Sequence, residues 1–187
     1  MDSMEQPLED LVGQAKQGHA RAADELIQRT YQRVYAWLRR LCQDDQEASD
    51  LTQKTFSRAW QSLDSFRGNS SFPTWLHGIA YHVYVDWRRK QQRNPNQTLP
   101  WWEDQTDQSA DPFESAAERD QAFRLYELVE TLDDDARVTV QLHYYQGLTL
   151  DETAQALGLA TSTIKYRLHH ALDLLKSRFT KLNAIET

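Results

Sequence analysis

Seven side chains within nine residues, Ser162, Thr163, Lys165, Tyr166, Arg167, His169 and His170, combine hydroxyls, cations, imidazoles and one exposed aromatic. Grouped on one surface, they are equipped to donate hydrogen bonds to phosphate and to base edges. Five of them lie in the segment TLDETAQALGLATSTIKYRL (Thr149–Leu168), and His169 and His170 follow it directly. Leu150, Ala154 and Leu157 repeat at i, i+4 and i+7, which predicts a short helix with one apolar stripe. Gly158 suits the left-handed residue that ends a helix, and Leu159 turns inward. Thr161 or Ser162 then caps a second helix that buries Ile164, Leu168 and Leu172. Two helices joined in this way are the layout of a helix-turn-helix, with the seven polar residues directed at the major groove.

The elements around it are all predicted helical. Leu8–Lys16 reads as a short helix, and Ala20–Leu41 as a long one with Ala23, Leu26, Ile27, Val34, Leu38 and Leu41 at helical spacing. Arg33, Arg39 and Arg40 are expected to point away from that stripe. Asp44 or Asp45 caps a third helix running to Ser62, SFRGNSS breaks the pattern, and Phe72-Pro73 opens a fourth helix to Arg93. On the fourth, Trp75 is expected in the core. After the break come Ala116–Glu130, Asp133–Gln146, Thr149–Leu157 and Thr161–Lys181. Asp133, Asp134 and Asp135 suit the positive end of a helix dipole. No alternating pattern long enough for a strand occurs, so the fold class is all-α, with two helical domains.

Charge separates the domains. Residues 1–93 carry 13 basic and 12 acidic side chains, residues 94–118 carry six acidic and no basic ones, and residues 119–187 carry eight basic and ten acidic. The middle stretch, NPNQTLPWWEDQTDQSADPFESAAE, holds three of the five prolines and reads as an extended acidic linker. Trp101 and Trp102 within it are expected to dock on a domain surface, or else to enter a partner's groove. Neither flanking block is strongly basic, which predicts weak, salt-sensitive DNA binding by the chain alone. The single Cys42 forms no internal disulfide, no apolar run reaches membrane-spanning length, and the N-terminus lacks a signal pattern. A cytoplasmic protein is expected.

Two separated stretches, EASDLTQKTFSRAWQSLDSFRGNSSFPTWLHGIAYHVYVDWRRKQQR (Glu47–Arg93) and LDDDARVTVQLHYYQGLTLDETAQALGLATSTIKYRLHHAL (Leu132–Leu172), resemble regions 2 and 4 of an extracytoplasmic-function sigma factor of the sigma-70 family. The resemblance implies two domains, 1–93 and 119–187, joined by the linker. It implies that Asp50, Leu51, Gln53, Lys54 and Phe56 grip the β′ clamp of RNA polymerase core. The loop Arg67–Ser71, with Arg67, Asn69, Ser70 and Ser71, would capture an unstacked base of the −10 element. Tyr81, His82, Tyr84, Arg88 and Arg89 would lie along the −10 DNA. The helix-turn-helix would read the −35 duplex and touch the β flap, and an anti-sigma factor wedged between the blocks would hide both DNA faces. Asn69, Ser70 and Ser71 offer donors and acceptors to a flipped base, and aromatic faces stack on bases for about 1–3 kcal/mol each. The chain departs from the family pattern in placing His169, His170, Leu172 and Asp173 where many relatives have a basic run.

Two other classes are weighed against this. A stand-alone helix-turn-helix regulator would use the first block for sensing or dimerisation. A metal-dependent phosphodiesterase would use His82 and Asp86, which stand at i, i+4. No HExxH, phosphate-binding glycine loop or nucleophile elbow is present, so no catalytic residue, metal or cofactor is expected.

Overall fold

The computed structural model describes residues 6–93 and 124–185, with side chains described as far as 180. The 94–118 linker, Trp101, Trp102 and the expected helix start at Ala116 lie outside the described residues. The N-terminal block contains α1 (Leu8–Lys16), α2 (Ala20–Cys42), α3 (Asp45–Ser62), a 3-10 turn (Leu63–Ser65) and α4 (Phe72–Arg93). The C-terminal block contains α5 (residues 124–130), α6 (Asp134–Val140), a π-helical turn (Gln141–Tyr145), α7 (Leu150–Leu157) and α8 (Thr161–Ile185). Among the described residues there is no strand.

Local chemistry sets most of the ends. The Asp44 carboxylate accepts the Glu47 amide at 2.7 Å and starts α3. Thr149 and Glu152 form a reciprocal capping box at the start of α7. Gly158, at φ 67°, closes it in the left-handed conformation. The start of α8 differs from expectation: the Thr161 hydroxyl donates to Asp151 at 2.7 Å and does not cap its own helix.

Packing corrects several single residues. Trp37, absent from the predicted stripe of α2, is 0% exposed and lies edge-on to His77 at 5.4 Å, whereas Ile27 is 37% exposed. On α8 the buried stripe is Ile164, Leu168, Ala171 and Leu175, and Leu172 is 36% exposed. Trp75, expected in the core, is half-buried at its edge, packed with Phe66 and Phe72 at 5.2 and 5.7 Å between ring centres. Thr30, Thr52 and Thr55 are buried, each donating to the carbonyl four residues earlier at 2.6–2.8 Å, so their hydroxyls cost little to desolvate.

The two blocks lie directly against each other, and their buried residues join into one core. The junction is α4 against α7, where a Cβ on Gly78 would sit 3.3 Å from the carbonyl oxygen of Ala156. Arg33 and Arg40, expected on a solvent face, instead reach this junction. Arg33 donates to the Gln146 carbonyl oxygen, and Arg40 lies over the Tyr145 ring at 4.8 Å. The π-helical turn is what brings Tyr145 and Gln146 to that position.

His77 sits at the centre of the junction. Its Nδ1 is 2.8 Å from the Pro73 carbonyl oxygen, and Nε2 neighbours the Gln146 side chain without a hydrogen bond of normal geometry. Burial, with help from the Arg33 charge, holds the imidazole below its usual 6.5. The unfolded chain therefore binds more protons just below that value. Stability from His77 is complete above pH 6.5 and drains away as pH falls toward the depressed folded value. Urea midpoints measured from pH 8 to pH 5 should fall below about pH 6.5 for the native chain, and His77→Gln should flatten that part of the profile. Asp44→Ala should lower unfolding free energy by about 1 kcal/mol at neutral pH by removing the cap, measured by the same titration.

Candidate nucleic-acid interface

The expected DNA- and polymerase-facing residues divide into three surfaces, and they differ in how accessible they are. The first is the outer face of α8. Ser162, Lys165, Tyr166, His169 and His170 are exposed, and Thr163 is half-buried. Tyr166, 71% exposed, is stacked on His170 with ring centres 6.1 Å apart. Arg167 is held back: its guanidinium is paired with Asp135 of α6. Lys165 is left to project its ammonium directly outward. A helix face with this set can enter a major groove, contact phosphate through Lys165 and present an apolar plate to a thymine methyl through Tyr166.

The second surface is the 66–71 loop with α4. Arg67 and Asn69 are exposed, Ser70 is half-buried, and Gly68 has φ 72°, which bends the loop outward. Ser71 is engaged elsewhere: its oxygen accepts the Thr74 amide at 3.3 Å and lies 2.8 Å from the Thr74 hydroxyl, anchoring the start of α4. Thr74 in turn donates to Glu152 of α7 at 3.2 Å. Further along α4, His82 and Arg89 are exposed, Tyr81 and Arg88 are half-buried, and Tyr84 is only 2% exposed. Tyr84 packs on Trp87 at 5.8 Å, and its hydroxyl accepts from Arg88 at 3.5 Å. Burial is the main reason the phenols of both Tyr81 and Tyr84 are pushed up from 10. Arg88 is paired with Asp134.

The second half of the chain therefore covers part of this surface. Asp133, Asp134 and Asp135 prove to have three separate jobs. Asp133 caps α6 by accepting the Ala136 amide at 2.9 Å, whereas Asp134 and Asp135 hold Arg88 and Arg167. Only the capping role was legible from their spacing. Beside them Glu130 accepts from Gln43 of α2 at 2.6 Å and from Arg137 at 3.2 Å. Burial pushes the Glu130 carboxyl upward despite the adjacent guanidinium.

The third surface is α3. Gln53 and Lys54 are exposed, Asp50 is half-buried, and Phe56 is half-buried beneath Tyr31 at 5.9 Å. Leu51 departs from expectation: at 1% exposure it is core and can only position its neighbours. Sequence spacing missed Tyr31, 38% exposed, and Trp60, 49% exposed. Tyr31 and Tyr35, four residues apart on α2, were the available signal, since their rings stack at 6.1 Å beside Phe56.

Of the pair His82 and Asp86, Asp86 accepts twice from Arg58, at 3.0 and 3.1 Å, and His82 stands exposed. Among the described residues no cluster of three or more His, Cys, Asp or Glu side chains could hold a metal, and no helix is long and apolar enough to cross a membrane.

Comparison with known proteins bears on these surfaces. The sigma-70 region 2 family model matches residues 26–94, and the sigma-70 region 4 model matches residues 122–175. The ECF RNA polymerase sigma factor SigX of Bacillus subtilis is 33% identical over 163 residues, 84% of each chain. The RNA polymerase sigma factor YlaC of the same organism is 31% identical over 164 residues, 87% of this chain and 95% of that one. Among solved structures, CnrH in complex with the cytosolic domain of CnrY shares the fold with a TM-score of 0.67 and 24% identity, covering 91% of this chain and 96% of that one. RpoE of Bartonella quintana, crystallised with the anti-sigma factor NepR, gives 0.66 and 22%, covering 84% and 96%. With the region 2 and region 4 models matched in order and a relative 33% identical over 84% of the chain, the chain belongs to the sigma-70 family as an extracytoplasmic-function RNA polymerase sigma factor.

Proposed function

We propose that this sigma factor directs bacterial RNA polymerase core to promoters by dividing the work among the three surfaces. The α3 face, with Asp50, Gln53, Lys54 and Phe56, docks on the β′ subunit. The loop residues Arg67, Asn69 and Ser70, followed by Tyr81, His82, Arg88 and Arg89 on α4, hold the −10 strand open. The α8 face, led by Lys165 and Tyr166, reads the −35 duplex while its domain contacts β. The chain acts by binding alone, in the cytoplasm where polymerase works, and has no catalytic step of its own.

The observation that carries this is the presence of both family regions, in order, on a chain whose recognition helix and α3 face stand open to solvent. A stand-alone regulator would account for α8 but would leave the exposed α3 face and the loop without a task. An inhibitory partner of the anti-sigma kind is also proposed, since RpoE, a solved protein of this fold, was crystallised with the anti-sigma factor NepR. That partner would reach between the blocks and cover both DNA faces, parting α4 from α7 where they pack.

In vitro transcription with core polymerase and a promoter library tests the proposal. The chain should select a subset of promoters, and Gln53→Ala with Phe56→Ala should abolish both core association and transcripts. Lys165→Ala should weaken promoter binding by holoenzyme uniformly across −35 sequences and lower its salt dependence by about one counterion. Failure of the purified chain to associate with core polymerase would refute the sigma-factor role.

A further inference from the structure

The outer face of α8 carries little fixed positive charge for a surface that has to lie against phosphates. Arg167 is paired with Asp135, which leaves Lys165 to extend outward over the first two turns. Beyond Leu168 the anion Asp173 and the cation Lys176 are both exposed, and their charges cancel. Between these groups stand two adjacent imidazoles. His169 follows Lys165 by four residues and His170 follows Tyr166 by four, so the four side chains make one patch on the helix. The imidazoles lie about 10–12 Å along the axis from Ser162, at 1.5 Å per residue. When the first turns of a helix enter a major groove, side chains that far along it reach the groove wall, which is lined by phosphate oxygens.

Each ring has a neighbour that suits an imidazolium. His170 lies parallel to Tyr166, with 1° between planes and 6.1 Å between centres, and a cation stacked on a phenol gains from its electron-rich face. His169 Nε2 is 3.8 Å from Asp173 Oδ2. From the elements packed against α8, Asp135 of α6 and Asp151 of α7 reach it. Both are engaged, the first with Arg167 and the second with the Thr161 hydroxyl at 2.7 Å. On α8 itself Lys165 and Arg167 are the cations one turn from the rings. A neutral imidazole offers a phosphate one N–H, whereas an imidazolium offers two and a charge. Histidine is the side chain that ordinarily makes this change between pH 5 and 8.

We propose that His169 and His170 serve as phosphate-binding cations of the −35 interface in their protonated form, so that promoter binding takes up protons. This rests on the sigma-factor role proposed above and specifies the chemistry of its α8 surface. Phosphate holds an imidazolium more tightly than a neutral ring, so the bound face carries more protons than the free one. Affinity therefore rises as pH falls through the histidine range and levels off above it. Lys165 supplies the part of the contact that does not vary with pH.

Holoenzyme made with the full-length chain is titrated by fluorescence anisotropy with a labelled promoter duplex from its own library selection, at about pH 6 and about pH 8. The native chain should bind roughly tenfold more tightly at the lower pH, about threefold for each exposed ion pair, with a salt slope steeper by about two counterions. His169→Gln with His170→Gln should remove both differences. His169→Arg with His170→Arg should bind tightly at either pH. On a duplex that ends downstream of the −35 element, the native and glutamine chains should respond to pH alike. Native affinity equal at the two pH values, or a pH response undiminished in the glutamine chain, would overturn the proposal. So would a histidine effect that persists on the shortened duplex. Core association and transcripts at the higher pH separate the two ideas, since a native chain that gives neither defeats the sigma-factor role. The same pH comparison on the full-length chain alone, with a random-sequence duplex as the probe, then decides the histidine contact without polymerase: only the native chain should tighten at the lower pH.

Discussion

The contact between α4 and α7 at Gly78 is the constraint on which the rest of the arrangement depends. Helix axes usually stay 8–10 Å apart because side chains hold them there. Without a Cβ, Gly78 lets the backbone at Ala156 come within van der Waals range, and the small Ala156 keeps the other side equally open. That approach brings Thr74 to Glu152, Arg33 to Gln146 and Arg88 to Asp134. It also turns His77 from a surface imidazole into a buried one.

The junction is built differently from the domain interiors. Trp37, Leu38, Leu51 and Leu76 are almost fully buried within the first block, and Leu142, Ile164 and Ala171 within the second. Across the junction the shared apolar core is joined by polar and charged pairs such as Thr74–Glu152, Arg33–Gln146, Gln43–Glu130 and Arg88–Asp134. Several buried atoms there, including His77 Nε2, Arg137 Nε and Gln141 Oε1, have no hydrogen-bond partner among the described residues. Each unmade hydrogen bond costs about 1–3 kcal/mol, and the partly exposed Arg88–Asp134 pair returns at most about 1 kcal/mol.

Much of the secondary structure was legible because its signals are local. The carboxylate of Asp44 needs only the next turn of its own helix, the Thr149–Glu152 box closes within four residues, and Gly158 supplies its own backbone conformation. Site residues were legible by type but not by accessibility. Lys165, Tyr166, Gln53 and Arg67 stand open as their helix or loop position implied. Leu51 and Tyr84 do not, because the first faces α2 and α4 while the second is covered by a domain more than forty residues away in sequence. Ile27 and Leu172 fit an apolar period yet lie at its edge, where the curvature of the packing, and not the spacing, sets exposure.

The sequence by itself determined most of the described helices and the caps at Asp44, Asp133 and Thr149. All of these follow from interactions that span a turn or two of chain. Only the tertiary structure decided that Asp134 and Asp135 engage arginines, that Arg33 and Arg40 face a domain instead of solvent, and that a mid-helix glycine is the point of closest approach. Those choices depend on which surfaces meet across long sequence separations, and charge complementarity between distant residues leaves no periodic trace along the chain.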